Sequence, residues 1–248
     1  MRRGSIMRRL FLPFLAACCL LCYTACQEVE REPLYKSISI LGVTMHIDGK
    51  LTEKVWDQAY WETGFSFPWQ TLETPSTSFC SVSSSDHLYF AFKVVDHDIV
   101  FATGPLENER GVAQGDRVEI FFSKDTELTD YYGLEMSPKG RVLDYHASFY
   151  RQIDRSWNCE GLQIATQLVE DGYVVEGAIP FSTLIRLGLA KPGEENRILT
   201  GLFRGEFSHG PDETIIQRWI SWIIPDSNKP DFHIPSAFGY LEVSVGTR

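Results

Sequence analysis

Between residues 79 and 245 the chain repeatedly alternates apolar with polar positions over runs of five to ten residues. Turn dipeptides separate the runs. Leu88, Phe90, Phe92 and Val94 share one face of LYFAFKVV at 88–95, and FCSVS at 79–83 pairs with it as a hairpin through 84–87. GDRVEIFFS at 115–123 is the most informative run. Written as a strand, it puts Val118, Ile120 and Phe122 on one face and Arg117, Glu119 and Phe121 on the other. The first is a core face. The second sets an acid, a base and an aromatic ring side by side, which suits the wall of a ligand site as well as a solvated surface.

Further strands follow at 131–136, 141–149, 161–169, 173–179, 198–207, 214–223 and 238–245, with a short helical turn after Pro180. A first strand is expected at 38–49, ending in the turn dipeptide Asp48-Gly49. A short helix over 52–60 is expected to be capped by Thr52, to carry Val55, Trp56 and Ala59 on one side, and to close one end of the domain. Short strands at this spacing predict an all-β fold, a two-sheet antiparallel immunoglobulin-like or jelly-roll sandwich with one or two short helices.

The amino terminus breaks the pattern. Arg2, Arg3, Arg8 and Arg9 precede the apolar run LFLPFLAACCLLCYTA, which is short for a membrane span and ends at small residues. Residues 1–25 are thus expected to be a signal peptide, 26–37 an acidic tether and 38–248 the folded domain. Tyr23-Thr24-Ala25-Cys26 resembles a bacterial lipobox of the looser Bacteroidetes type. It implies lipidation at Cys26 and an anchor in the outer membrane at the cell surface. Cleavage after Ala25 by an ordinary signal peptidase is the alternative. Removing the four arginines leaves 19 basic against 33 acidic residues, a net of −14 instead of −10. Such a surface repels phosphate backbones and argues against nucleic acid as a partner. Cys80 and Cys159 could pair in an oxidising compartment, but Cys80 alternates with Val82 and reads better as a buried thiol.

Five segments, in order, carry a family resemblance: IDGKLTEKVWDQA at 47–59, DHLYFAFKVVDHDI at 86–99, GDRVEIFF at 115–122, DGYVVEGAIPFSTL at 171–184 and FHIPSAFGYLEV at 232–243. Together they resemble family 9 carbohydrate-binding modules. The resemblance implies an immunoglobulin-like sandwich that binds sugars without chemistry, clamping them between two tryptophans assisted by polar side chains. On this chain the motif acid matches Glu119, the first platform position falls on Ala113, the second on Phe232, and a family arginine falls on Glu135. The pocket is therefore expected to be rebuilt.

Candidate ligand-binding groups are then Glu119, Glu135 and Arg204 as hydrogen-bonding residues, with Trp157, Trp222 and Phe232 as apolar walls. Arg204 could instead be a buried ion-pair partner. Trp219 and Trp222 lie three apart on one strand, so one of them is expected in the core. Asp96 and Asp98 are weak candidates for a structural calcium ion. An enzyme reading needs paired carboxylates, for which Glu119 and Glu135 are the candidates. A haem reading needs axial ligands such as Met45 with His46, or Met136 with His146. No Ser–His–Asp signature, phosphate loop, HExxH or CxxC is present. The combined expectation is a non-catalytic, surface-displayed lipoprotein that captures polysaccharide or oligosaccharide.

Overall fold

The computed structural model describes residues 32–40, 42–104 and 109–246. The expected signal peptide, Cys26 and the first part of the tether lie outside the described residues. In chain order the strands are β1 (Leu34–Lys36), β2 (Ile38–Ser39), β3 (Thr77–Ser83), β4 (His87–Val95), β5 (Arg117–Ser123), β6 (Tyr131–Met136), β7 (Val142–Ser148), β8 (Gln152–Asp154), β9 (Gln163–Val169), β10 (Gly172–Pro180), β11 (Glu195–His209), β12 (Ile215–Ser221) and β13 (Gly239–Ser244). They form two sheets of a sandwich. One has the order β2-β3-β4-β10-β9. The other has the order β1-β13-β11-β5-β6-β7-β8, and β12 also pairs with β11. β11 is 15 residues long, so one edge of it holds β13 along Glu195–Thr200 and β12 along Phe203–His209.

The period-two alternation explains how the sheets face each other. Leu88, Phe90, Phe92 and Val94 of β4 meet Val118, Ile120 and Phe122 of β5 and Tyr132, Leu134 and Met136 of β6 in the main core. The strand faces and the hairpin of 79–95 are as expected. The larger sheet is also covered on its other side. Phe121, Tyr131, Tyr145, Phe203, Phe232 and Phe238 form a second apolar cluster there, so every residue of β5 is buried.

Several local expectations give way. Among the described residues of the stretch 38–49, only Ile38–Ser39 is a strand. The Asp48 and Gly49 N–H groups donate to Glu176 Oε2 at 3.0 and 2.8 Å, so this backbone is satisfied by a side chain instead of a ladder. The helix shortens to α1 (Val55–Gln58), with Lys54 at its N-cap position and no side-chain cap. It does not close an end of the sandwich. Val55 and Trp56 pack on the outer face of the smaller sheet, against Cys80, Val82 and Ala91. The turn after Pro180 is α2 (Phe181–Arg186). The domain also starts earlier than expected, because β1 lies within the supposed tether and pairs in parallel with β13. Cys80 and Cys159 are free, buried thiols in different clusters. Among the described residues no helix is long and apolar enough to cross a membrane.

The inner core holds one full charge pair. Arg204 is 0 % exposed and donates from Nη2 to Asp96 Oδ2 at 2.9 Å, and from Nη1 to Val95 O at 3.2 Å and Thr77 Oγ1 at 3.3 Å. A buried guanidinium without an anion would be costly, and Asp96 supplies it. The calcium expectation fails on the same contact. Asp96 faces Arg204, whereas Asp98 turns to His209, whose Nδ1 lies 2.6 Å from Oδ1. Among the described residues no three acidic, histidine or cysteine side chains gather as a metal cluster.

Candidate functional site

The outer face of the larger sheet carries the charged residues of β5. Strand register places Phe203 of β11 opposite Glu119, Glu119 opposite Glu135 of β6, and Glu135 opposite Leu143 of β7. Two glutamates directly opposite each other repel. Arg117, one pleat along the same strand face, relieves this repulsion. Its Nε lies 2.7 Å from Glu135 Oε2 and 2.9 Å from Glu119 Oε1. The N–H points at Glu135, which takes the hydrogen bond. Glu119 Oε1 is thus close to the cation but has no hydrogen-bond donor among the described residues. Burial first, and then the Glu135 charge, pushes the Glu119 carboxyl above the usual carboxylate range.

Two glycines make room for this arrangement. Gly133 lies across from Tyr145, and a Cβ there would sit 2.3 Å from the Tyr145 ring. Gly205 lies across from Arg117, and a Cβ there would sit 2.7 Å from Arg117 Nη1. With both side chains laid flat over glycine, the Tyr145 hydroxyl is buried with no hydrogen-bond partner among the described residues. Arg117 Nη1 reaches Gly115 O at 3.2 Å, and the guanidinium stacks 5.3 Å from the Trp219 ring centroid.

These groups form the floor of a cavity of about 390 Å³. Ala113, Leu143 and Ile153 add apolar floor. Trp219 of β12, opposite Gly205, forms one wall, and Pro230 to His233 form the other. Phe232 is fixed by stacking on Phe203, with centroids 4.1 Å apart and rings 11° from parallel. His233 is half-buried beside Phe121, with Nδ1 2.8 Å from the Tyr131 hydroxyl. Arg151 and Arg155 bracket β8 at the rim, and Arg151 donates to Asp231 at 2.7 Å.

Three of the six side chains expected at a ligand site, Glu119, Glu135 and Phe232, line this groove. The other three lie elsewhere. Arg204 is on the inter-sheet face, paired with Asp96. Trp157 packs on Tyr132, 5.0 Å between centroids, against the main core. Trp222 also packs against that core. Trp219 of β12 faces the groove, and Trp222 lies just past the end of that strand. Tyr145, Arg151, Asp231 and His233 were not expected in the site, and Arg117 was expected only as part of the outward face that carries Glu119. The parity of Arg117 with Glu119 was legible, but the position of the segment 230–233 over the sheet was not. The haem candidates do not assemble. Met136 pairs with Val142 and His146 with Tyr132, four residues apart along β6, and His146 Nε2 lies 2.7 Å from Asp130. Met45 packs under α1, while His46 is exposed.

A sandwich with a groove combining carboxylates, a guanidinium and aromatic walls has the make-up of a saccharide-binding module. The profile of the family described as "Carbohydrate family 9 binding domain-like" matches residues 47–244, and the chain belongs to that family. No curated protein matches the chain. Among solved structures it is similar to a "putative carbohydrate-binding protein" from Bacteroides uniformis, at 16 % identity, TM-score 0.66, covering 86 % of this chain and 99 % of that one. It is similar also to a family 9 carbohydrate-binding module from Caldicellulosiruptor kristjanssonii. The glucose complex of that module aligns at 16 % identity and TM-score 0.57, over 87 % of this chain and 97 % of that one. The cellotriose complex aligns at 17 % identity and TM-score 0.55, over 86 % and 94 %. At such identities these likenesses concern the fold.

The shared arginine generates a stability prediction. Arg117→Met leaves two opposed carboxylates without their cation and should cost about 3–5 kcal/mol in chemical denaturation. Glu119→Gln should change stability by less than about 1 kcal/mol, because Arg117 keeps Glu135 and one repulsion disappears. The double variant should recover part of the Arg117→Met loss. A loss under about 1 kcal/mol for Arg117→Met would show that the carboxylates do not depend on it.

Proposed function

We propose that this protein binds saccharides, without catalysis, in the groove over Glu119, Arg117 and Glu135. The observation that carries the reading is the pairing of unsatisfied buried acceptors with aromatic walls. Glu119 Oε1 has the Arg117 ion pair but no N–H aimed at it, the Tyr145 hydroxyl has no hydrogen-bond partner among the described residues, and Trp219 and Phe232 flank them. A sugar supplies what is missing, hydroxyl donors on its edge and C–H groups on its face. Family membership and the fold shared with a glucose- and cellotriose-bound module support it.

Catalysis fits the same groups less well. A glycosidase needs one carboxyl poised as acid and another free as base or nucleophile. Here a single guanidinium lies within 2.9 Å of both, which suits fixed hydrogen-bond acceptors better than a proton-shuttling pair.

Calorimetry against an oligosaccharide panel tests the reading. Glu119→Gln should weaken binding about tenfold, the size of one lost hydrogen bond. Trp219→Ala should also weaken it, and neither variant should lose its fold. Unchanged affinity in both variants would move the site elsewhere. Reducing sugar released by the pure protein, and abolished by Glu119→Gln or Glu135→Gln, would replace binding with hydrolysis.

The cellular setting belongs to the same proposal. Cys26 follows a small residue and precedes the acidic stretch QEVERE, which supports a lipid-anchored protein on the outer membrane, an accessory to carbohydrate degradation. Cys26→Ala should release soluble protein or leave an unprocessed precursor. A variant that stays processed and membrane-bound would contradict the anchor.

A further inference from the structure

One cation of the groove stands apart from its ion pairs. Arg117 serves Glu119 and Glu135, and Arg151 is tied to Asp231 and to the Tyr150 hydroxyl at 3.1 Å. Arg155 also lines the groove, is exposed, and has no ion pair or hydrogen bond among the described residues. Its field reaches inward. His233 is held down to about 3 first by burial and then by the charges of Arg151 and Arg155. An unmatched guanidinium beside a sugar-sized cavity is conspicuous in a chain whose net charge is −10, where acidic side chains are abundant as partners.

The charges are also segregated. The carboxylates Glu119 and Glu135 are buried in the floor, 2 % and 7 % exposed, whereas Arg151 and Arg155 flank the rim strand β8. Arg117 offsets the floor carboxylates, so the unpaired charge offered to a ligand anion is Arg155 at the rim, while ligand hydroxyls find acceptors below. A guanidinium presents parallel N–H donors that match the two oxygens of a carboxylate or a sulfate ester.

Resting on the saccharide reading of this groove, we propose that its ligand is an acidic saccharide. Arg155, with Arg151 beside it, holds a uronate carboxylate or a sulfate ester at the rim, and neutral hydroxyls occupy the floor. Arg155 is then a specificity residue that adds little to the binding of neutral sugar.

Calorimetry with the mature protein tests this on oligosaccharides in matched sets. Each set is a neutral backbone, its uronate form and its sulfate ester. At low salt one acidic member of the preferred set should bind about tenfold more tightly than its neutral counterpart, and the uronate and sulfate arms identify which anion fits. The preference should shrink at about 0.5 M salt, where exposed charges are screened. Arg155→Gln should abolish the preference and leave neutral affinity within about twofold. Equal affinity within every set, a preference for the neutral member, or a preference that survives Arg155→Gln would overturn the proposal and leave sugar binding intact. Binding of no saccharide in the panel would overturn the underlying reading as well.

Discussion

The strand β5 is buried on both of its faces, and that constraint governs the rest of the structure. The main core covers one side and the cluster of Phe121, Phe203 and Phe232 covers the other. A charge placed in such a sheet must meet its counterion within the fold, because solvent cannot neutralise it. Two arginines show the two solutions. Arg204 projects inward from β11, and its two terminal nitrogens are held by Asp96, Thr77 and Val95. Arg117 projects outward from β5, beneath the cavity, where its two carboxylate partners keep acceptor capacity open. The first pair fixes how the loop after β4 meets β11. The second prepares a polar floor that a ligand can complete.

Register converts that floor into a site. Because Glu119 and Glu135 are directly opposite, their carboxylates share one guanidinium. Because Gly133 and Gly205 carry no side chain, Tyr145 and Arg117 lie flat and leave space above. The walls come from distant parts of the chain. Trp219 arrives on β12, and Phe232 from the segment before β13, anchored on Phe203. The geometry is thus set by near pairings such as Glu119 with Glu135 and Gly133 with Tyr145, joined to the β5–β11 register that brings Arg117 to Gly205 across 88 positions.

The parity of side chains was legible in the sequence, and so were the elements that depend on it. The two faces of β5 and the apolar face of β4 follow from period two. Arg204 shares its parity with Leu202, a core residue, and that signal pointed inward. Its partner Asp96 lies 108 residues away and leaves no local trace. Trp157 sits in a loop, where a large ring suggested a platform, but Tyr132 takes it into the main core. Ala113, expected at a platform position, lines the groove together with Phe232. Trp219 could be recognised as a wall only once β12 was known to pair with β11.

The central claim is that saccharide binds on the outer face of the larger sheet, over the Arg117 floor. Amide chemical-shift mapping with the tightest oligosaccharide tests it most directly. The account predicts saturable shifts at Glu119, Glu135, His233 and the Trp219 indole N–H, with β9 and the α1 face of the smaller sheet unaffected. Shifts confined to β9, or to the α1 face, with the groove residues unmoved, would contradict it.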